Sequence, residues 1–279
     1  MTMDRPLTGQ CAFVTGGSKG IGRAICLGLA AAGAAVALTG RSESAGPGTA
    51  AETAARIEQA GGRAIAIACD VRDADGVRAA IDRAAGTFGR LDILMNNAGL
   101  YFPGFDMIDI ALDQWRETID THITGSFLCA RFAIPHMIAA GGGSIINMSS
   151  TAGDPAHDST ANVAYSVAKA GVEQLTRGLA RELASANVAV NAIRPMGLLS
   201  EGSLNNADWL ARYREKAGGR MLRDDLSDEA RMKRFADPSA IVPAIVRLAR
   251  CRAEFTGNVV RRTDFDGDDF HTLIWRGTA

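Results

Sequence analysis

Residues 11–22 read Cys-Ala-Phe-Val-Thr-Gly-Gly-Ser-Lys-Gly-Ile-Gly, an apolar run that leads directly into a glycine-rich turn. Glycines between a strand and a helix let the backbone approach a pyrophosphate, and the helix N-terminus then offers free N–H groups and a positive dipole end. Glycine also serves plain tight turns, so the motif carries weight only where it follows a strand and precedes a helix. A segment of helical length, Gly22–Ala32, follows here. The stretch therefore predicts a strand, a dinucleotide-binding turn and a helix.

The rest of the chain continues this alternation of strand-like and helix-like segments. The predicted strands are short and rich in aliphatic residues: Cys11–Thr15, Ala34–Thr39, Ala64–Ala68, Asp92–Asn96, Ser144–Met148, Val188–Ile193 and Asn258–Arg262. The predicted helices are Gly22–Ala32, Ala50–Ala60, Asp73–Thr87, Leu112–Ala140, Asn162–Ala184 and Pro238–Ala249. Repeated alternation implies parallel strands joined by right-handed crossovers. We expect an α/β fold, a doubly wound Rossmann-type parallel sheet of seven strands, in a single domain over residues 8–264.

Two segments interrupt this regularity. Residues 201–237 carry balanced charges and scattered large apolar side chains, which predicts a helical lid over a substrate; a surface excursion is the alternative. Residues 265–279 form a divergent tail that includes Phe270 and Trp275. A free tail would expose these side chains, so we expect it to pack on the body or across a subunit.

Composition excludes several classes of protein. Hydrophobic residues make up 47% of the 279 residues, enough for a buried core, and the 30 basic and 31 acidic residues leave no cationic excess for nucleic acid. Five cysteines without a C-x-x-C and four histidines without an H-E-x-x-H predict neither a disulfide scaffold nor a metal site. Ala24–Gly40 is uncharged, but its length and Ala/Gly content favour a helix and a strand over a membrane span. The first ten residues contain no apolar signal core, so we expect a cytoplasmic protein.

The end of the second predicted strand bears on the choice of dinucleotide. An NAD site usually places an acid about 20 residues past the glycines, where it accepts hydrogen bonds from the ribose hydroxyls. Gly40 and Arg41 stand there instead. Arginine matches a 2′-phosphate, and Lys19 in the turn adds a second cation, so NADP is the expected cofactor. NAD remains possible if these cations are only a solvated surface pair.

Tyr165 and Lys169 form a candidate proton-transfer pair. Residues four apart share a helix face, and a cation beside a phenol lowers the phenol pKa from its usual value near ~10. Such a phenol can exchange a proton with a carbonyl or hydroxyl oxygen. Ser149 and Ser150 follow a predicted strand, at the sheet edge where ligands bind, although a serine there can also simply stabilise a turn.

These motifs together resemble the short-chain dehydrogenases/reductases over about residues 8–260. The motifs that carry the resemblance are the turn Thr15–Gly22, Asp70-Val71, Asn96–Gly99, Ser150, Tyr165 with Lys169, and Val190–Pro195. The resemblance implies hydride transfer between a nicotinamide and a carbonyl or alcohol carbon. Tyr165 would be the general acid/base, Lys169 would lower its pKa and hold the nicotinamide ribose, and Ser150 would orient the substrate oxygen. The implied cofactor contacts are Gly16, Ser18, Lys19, Gly20, Ile21, Gly22, Arg41, Asp70, Val71, Asn97, Ala98, Gly99, Tyr165, Lys169, Pro195, Leu198 and Ser200.

The chain departs from the family pattern near the expected nicotinamide. His122 stands where the family often has an asparagine that supports a proton relay from the lysine. It would either serve the relay, adding a titration near neutral pH, or be a packing variant. Met196 replaces the glycine of the family's Pro-Gly, and Ser200 replaces a threonine.

Two further segments could contact a substrate. Fourteen residues separate Ser150 from Tyr165, and this loop contains Asp154 and the polar segment 157–159. It could meet a polar substrate group or be solvated. The aromatic residues Tyr101, Phe102 and Phe105 could form a substrate wall or belong to the core.

The sequence thus predicts an NADP(H)-dependent oxidoreductase that interconverts a carbonyl and a secondary alcohol. An NAD(H)-dependent enzyme of the same family is the first alternative, and a non-catalytic dinucleotide-binding or sensing protein is the second. The expected partners are a small-molecule substrate and a second copy of the chain, in a homodimer or homotetramer, with no nucleic acid and no membrane.

Overall fold

The fold is built on a seven-stranded parallel sheet in the order β3-β2-β1-β4-β5-β6-β7. The computed structural model describes residues 5–42, 44, 46–102, 107–156, 163–198 and 236–265. The strands are β1 Cys11–Val14, β2 Ala35–Gly40, β3 Arg63–Ala68, β4 Ile93–Asn96, β5 Gly143–Met148, β6 Val188–Arg194 and β7 Val259–Arg261. The predicted doubly wound Rossmann-type sheet of seven strands is confirmed, with strand ends within one residue of the predicted ones.

Helices cover both faces of the sheet, as near-continuous apolar strands require. They are α1 Gly20–Ala31, α2 Ala50–Gln59, α3 Ala74–Phe88, α4 Leu112–Ile119, α5 Gly125–Ala139, α6 Val163–Glu182 and α7 Val242–Ala249. Ile25 and Ile245, on α1 and α7, belong to the core on one face, and Ile81 and Met137, on α3 and α5, belong to the core on the other. Because β1 pairs with β2 on one side and with β4 on the other, the strand order reverses at β1, and the cleft for a ligand opens there.

Local chemistry fixes several helix ends. The Thr49 hydroxyl accepts a hydrogen bond from the Glu52 amide at the start of α2, and the Asp73 carboxylate accepts one from the Asp75 amide at the start of α3. Such caps satisfy amides that have no partner within the helix. Gly89 ends α3 with φ of 77°, a left-handed conformation that glycine adopts without a steric penalty.

The single helix predicted over Leu112–Ala140 is wrong in one respect. A π-helical turn, Asp120–Thr124, separates α4 from α5 and adds a residue to the helical path. The Ser126 hydroxyl donates to the His122 carbonyl at 2.7 Å within this distortion, and the His122 side chain is buried. The helix predicted over Pro238–Ala249 likewise begins as a 3₁₀ turn, Pro238–Ile241, before α7.

Several predictions fall outside the described residues. These are Ser200, the lid over residues 201–237 except for its last two residues, the loop residues 157–159, Phe105 and the tail beyond Phe265.

All five cysteines are free and buried. Burial raises the pKa of the Cys11 thiol to about 12 and that of Cys69 to about 11, so both stay protonated at neutral pH. None of the described helices combines the length and the apolar character that crossing a membrane requires. Within the described ranges, no three His, Cys, Asp or Glu side chains cluster as metal ligands.

Candidate active site

The glycine-rich turn is closed by contacts that leave no room for side chains. Gly16 has φ of 67°, and a Cβ on Gly22 would lie 2.0 Å from the Gly16 carbonyl oxygen and 2.6 Å from Nδ2 of Asn97. Asn97 Nδ2 donates to the Thr15 and Gly16 carbonyl oxygens at 3.0 and 3.2 Å. The turn after β1 is therefore fastened to the segment after β4, and both glycines are needed for the close approach.

Thr15 completes this fastening and was not among the predicted site residues. Its hydroxyl oxygen accepts hydrogen bonds from the backbone amides of Asn97 and Ala98, at 3.0 and 2.9 Å. Because both amides already donate to Thr15, Asn97 and Ala98 can contact a bound nucleotide only through their carbonyl oxygens and side chains. A buried threonine directly after a strand was the available signal in the sequence.

An open cavity of about 310 Å³ lies at the carboxyl ends of β1, β2, β3 and β4. Most of the predicted cofactor contacts line it: Gly16, Ser18, Lys19, Gly20, Ile21, Gly22, Arg41, Asp70, Val71, Asn97, Ala98 and Gly99. Arg72, Glu117 and Thr121 line it too and were not predicted. The structure thus brings together residues from four separate loops, as the strand order requires.

The start of α1 suits an anion at one end of this cavity. Lys19 is the N-cap in an extended conformation; within this described turn no side chain caps the helix, and its first turn contains no acid. The first amides of α1 and the positive end of its dipole are therefore not neutralised by the chain itself. The residues present fit a dinucleotide, with its pyrophosphate at the start of α1.

The far end of the cavity carries opposite charges. Arg41 is exposed beside Gly40, and the Asp70 carboxylate pairs with Arg72 at 2.6 Å. Arg72 also pairs with Glu117 at 3.0 Å, which links the loop after β3 to α4. The Arg72 guanidinium lowers the pKa of Asp70, so this carboxylate stays charged at neutral pH. Among the described residues, Arg41 forms no ion pair with Asp70 or Glu117, so its guanidinium is the one that a ligand can bind in this part of the cavity.

Ser150, Tyr165 and Lys169 converge where β5 ends against α6. The Ser150 hydroxyl forms a hydrogen bond with the Tyr165 phenol and accepts one from the Ala152 amide at 3.2 Å. Lys169 Nζ lies 5.4 Å from the Tyr165 ring centroid and donates to the Met148 carbonyl at 2.8 Å. The predicted face shared by Tyr165 and Lys169 is present, and it points at the end of β5.

The packing of Gly153 explains how close this approach can be. A Cβ on Gly153 would lie 2.9 Å from the carbonyl carbon of Lys169 and 3.1 Å from the Ala170 nitrogen. Backbone cannot yield as a flexible side chain can, so only glycine lets the segment after Ser150 rest directly on α6.

Burial changes the protonation that we expected for this pair. Burial raises the pKa of the Tyr165 phenol, and the hydrogen bond with Ser150 opposes that rise. Burial also lowers the pKa of Lys169 to about 7. Without a ligand, the phenol is therefore neutral at pH 7, and the amine that was to stabilise the phenolate is itself close to losing its proton.

His122 lies beside Tyr165 as a neutral ring. Its ring centroid is 5.5 Å from that of Tyr165 at an interplanar angle of 82°, and Nε2 lies 2.8 Å from the Leu100 carbonyl oxygen. Burial, and then the Lys169 charge, lower the pKa of His122 to about 3. The expected titration near neutral pH is therefore wrong for the ligand-free protein. A neutral ring that carries its proton on Nε2 donates to Leu100.

The segment after β6 contains a strained residue. Met196 has φ of 52°, in the left-handed region that a side chain disfavours. Four predicted cofactor contacts in the described residues do not line the 310 Å³ cavity: Tyr165, Lys169, Pro195 and Leu198. The Leu198 side chain is buried in the core, and its backbone pairs with Ala236. Tyr101 contacts Tyr165 edge to face, with centroids 5.0 Å apart, and is 37% exposed, so it stands at the surface of the site and not in the core.

Comparison with known proteins agrees with this geometry. The model of the short chain dehydrogenase family matches residues 10–210. A cis-4-hydroxycyclohexanecarboxylate dehydrogenase of Sinomonas cyclohexanicum is 40% identical over 186 residues, which cover 67% of this chain and 72% of that one. A 3-oxoacyl-(acyl-carrier-protein) reductase of Staphylococcus aureus is 35% identical over 253 residues, covering 90% and 95%.

A solved structure extends the likeness to the fold. A protein from Beutenbergia cavernae, assigned as an NAD(P)-dependent gluconate 5-dehydrogenase and crystallised with bound NADP at low occupancy, superposes with a TM-score of 0.76. It is 30% identical, and the match covers 93% of this chain and 97% of that chain.

The sheet, the dinucleotide cavity and the Ser150–Tyr165–Lys169 cluster define a dinucleotide-dependent oxidoreductase. The chain belongs to the short-chain dehydrogenase/reductase family. It is an NAD(P)-dependent enzyme of that family, since its relatives are named dehydrogenases and reductases. The enzyme prediction is confirmed, and the non-catalytic alternative is not supported.

Proposed function

We propose that this protein is an NADP(H)-dependent oxidoreductase that interconverts a carbonyl and a secondary alcohol, with Tyr165 as its general acid/base. The observation that carries the proposal is the convergence of Ser150, Tyr165 and Lys169 at the carboxyl end of β5. This is the same side of the sheet as the cavity at the carboxyl ends of β1, β2, β3 and β4. When bound, the nicotinamide supplies or accepts the hydride. The remaining work, positioning and proton transfer, falls to the side chains of the protein.

Each side chain of the cluster has one task in this proposal. Tyr165 gives its phenolic proton to the carbonyl oxygen in reduction and takes it back in oxidation. Ser150 already contacts the phenol, so its hydroxyl can donate to the same substrate oxygen. Lys169 is fixed by the Met148 carbonyl one helical turn from Tyr165, where it can hold the nicotinamide ribose and favour the phenolate.

His122 is proposed to serve the proton relay in its neutral form. Its ring packs between the catalytic tyrosine and the Leu100 carbonyl, and Lys169 lies close enough to depress its pKa. A ring that never charges in the working pH range can pass a proton only by donating on one nitrogen and accepting on the other.

NADP preference follows from the charges at the end of β2. Gly40 offers no carboxylate to a ribose diol, and Arg41 and Lys19 line the same cavity. Arginine binds a phosphate through two parallel hydrogen bonds, so a 2′-phosphate here forms an ion pair that a 2′-hydroxyl cannot form. NADP in the similar Beutenbergia protein is compatible with this reading. NAD remains the alternative, and titration of the protein with NADH and NADPH separates the two: an equal or tighter dissociation constant for NADH overturns the preference.

The proposal also includes a substrate class, an oligomeric state and a cellular compartment. Relatives named for a hydroxycyclohexane and a 3-oxoacyl substrate make cyclic ketones and 3-oxo esters the first compounds to assay. Leu112, Phe127 and Val167 are exposed apolar side chains on α4, α5 and α6, which suits a homodimer or homotetramer built on these helices. Free, buried thiols suit a cytoplasmic protein. The lid over 201–237 remains a proposed part of the single domain over residues 8–264, and residues 265–279 remain a proposed divergent tail after it.

The central test is the substitution Tyr165→Phe. It removes one oxygen atom and leaves the cavity of the dinucleotide intact, so NADPH should bind as tightly as before. Turnover should fall by at least about 100-fold, the usual worth of a positioned acid/base group. NADPH fluorescence measures binding, and loss of NADPH absorbance with the carbonyl panel measures turnover. Full turnover in this variant would exclude the assigned proton transfer.

A further inference from the structure

A buried ionic network surrounds the segment that carries the catalytic serine. Glu173 is 2% exposed, and its carboxylate accepts two hydrogen bonds from the Arg194 guanidinium, at 2.8 and 2.9 Å. The Ser149 hydroxyl donates to the same carboxylate at 2.7 Å. The third nitrogen of Arg194 pairs with Asp154. Two acids, Arg194 and one serine are thus joined from β6, α6 and the loop between β5 and α6. Two more exposed arginines lie at longer range, Arg177 at 3.9 Å from Glu173 and Arg261 at 3.9 Å from Asp154.

The network holds that loop at both ends. Ser149 immediately precedes Ser150, and Asp154 immediately follows the 3₁₀ turn Thr151–Gly153 that the Ser150 hydroxyl caps. Asp154 pairs directly with Arg194, and Ser149 is connected to Arg194 through Glu173. Both ends of the loop are therefore held by the Arg194 side chain. A movement of Arg194 would therefore shift the serine segment as a unit.

The same network is aligned with the catalytic helix. Tyr165, Lys169 and Glu173 are spaced by four residues on α6 and share one face of it. Glu173 thereby continues, one turn further along, the row that begins with the acid/base phenol. Arg194 is the last residue of β6, and Pro195 after it leads into the segment expected at the nicotinamide. One ion pair therefore connects the serine, the tyrosine helix and that segment.

Stability alone does not account for such an arrangement. Removing two charges from water costs as much as their attraction returns in many proteins, so a buried ion pair is weak evidence for stabilisation. Its bidentate geometry, however, fixes direction as well as distance, because the guanidinium fork matches the carboxylate in only one plane. We propose that Arg194, through Glu173 and Asp154, is a positioning residue that aligns the Ser150 hydroxyl with the Tyr165 phenol. The proposal rests on the proposed function of Ser150 and Tyr165.

The test is a double-mutant cycle between Arg194→Lys and Ser150→Ala. Lysine keeps the charge but loses the fork, so turnover should fall about 10- to 100-fold, the effect of displacing a catalytic group by roughly 1 Å. The dissociation constant for NADPH should stay unchanged. If Arg194 acts through Ser150, the same substitution in the Ser150→Ala background should lower turnover by no more than about twofold. An equal loss in both backgrounds overturns the proposal.

A second readout needs no substrate. The Ser150 hydrogen bond opposes the rise in the pKa of Tyr165, so a displaced Ser150 should raise that pKa further. Titration of phenolate absorbance, as the difference from Tyr165→Phe, should show this rise in Arg194→Lys, and an unchanged phenol pKa contradicts the proposal. If Ser150→Ala by itself keeps full turnover, the proposed function fails first, and the two failures are thereby distinguished.

Two variants guard against a trivial loss of folding. Asp154→Asn leaves the Arg194–Glu173 pair intact and loosens one end of the loop, so it should give a smaller loss that also disappears in Ser150→Ala. Arg90→Lys is the control with the same bidentate geometry: Arg90 pairs with the buried Asp92 at 2.6 and 2.8 Å just before β4, at the amino ends of the strands and away from the site. It should lower stability but not turnover. A turnover loss in Arg90→Lys equal to that in Arg194→Lys would count against a positioning role.

Discussion

Replacing Gly40 by aspartate should reverse the preference between the two nicotinamide dinucleotides. Gly40 ends β2, and a Cβ there would meet Ala50 Cβ at 3.3 Å and Ser18 Cβ at 3.6 Å. The first distance is short for two Cβ atoms, so the segment that carries Ala50 must shift by a few tenths of an ångström, and Gly40→Asn carries the same cost. The new carboxylate would enter the cavity lined by Arg41 and Lys19.

Two effects add up in the Gly40→Asp variant. A hydrogen bond from a ribose hydroxyl to a carboxylate contributes about 1.5–3 kcal/mol to NADH binding. Repulsion between the carboxylate and a 2′-phosphate about 5 Å away costs NADPH binding about 1–3 kcal/mol, depending on the local dielectric. The lower limits sum to roughly 2.5 kcal/mol, so the ratio of the two dissociation constants should change by about 100-fold. Screening should shrink the repulsive part at high salt, because Arg41 and its surroundings are exposed.

The assay is fluorescence titration of the natural protein and the variant with NADH and NADPH at two salt concentrations. Gly40→Asn is the matched control, since asparagine has the shape of aspartate without its charge. Gly40→Asn should weaken both dinucleotides alike. A ratio that stays the same in Gly40→Asp, or that changes as much in Gly40→Asn, would refute the assignment of this strand end to the 2′ position.

Three other perturbations test separate parts of the site. Burial lowers the pKa of Lys169 from 10.5 to about 7, so the unfolded chain binds more protons between these values. The free energy of unfolding in urea should therefore rise with pH in that window by about 1 kcal/mol per pH unit relative to Lys169→Met, and a flat difference contradicts the burial effect. His122→Ala should lose turnover and His122→Asn should keep it, with the same pH optimum in both; full turnover in the alanine variant excludes the relay. Met196→Gly should raise the free energy of unfolding by about 1 kcal/mol, because glycine adopts the left-handed backbone conformation of this position without strain. Chemical denaturation measures this change, and no gain in stability would show that the backbone at Met196 is not strained.

The fold could be predicted because its signals are local and repeated. Short aliphatic runs that alternate with segments of helical length admit few topologies once crossovers are right-handed. The π-helical turn at Asp120–Thr124 could not be predicted, because one added residue leaves the apolar pattern of a helix nearly unchanged. The pairing of Thr15 with the Asn97 and Ala98 amides likewise depends on two strands that meet only in the folded sheet.

The convergence of the candidate site residues could be predicted, but their protonation could not. The four-residue spacing placed Tyr165 beside Lys169 correctly, and the same count extended by one turn would have found Glu173. Its partner Arg194 could not be found this way, since it lies on another element. The pKa directions of Tyr165, Lys169 and His122 depend on burial, a property of the whole packed structure that outweighs the neighbouring charge visible in the sequence.

Because the thiols are inaccessible in the folded chain, the rate of their chemical modification reports local unfolding. An alkylating reagent reacts with a thiolate, and a buried cysteine can form a thiolate only when local unfolding exposes it to water. Cys26 is the most informative, because its Sγ lies 2.8 Å from where a side chain on Gly17 would begin, directly beneath the turn that would receive the pyrophosphate. The speed at which that sulfur is modified therefore measures how often α1 lifts from the sheet.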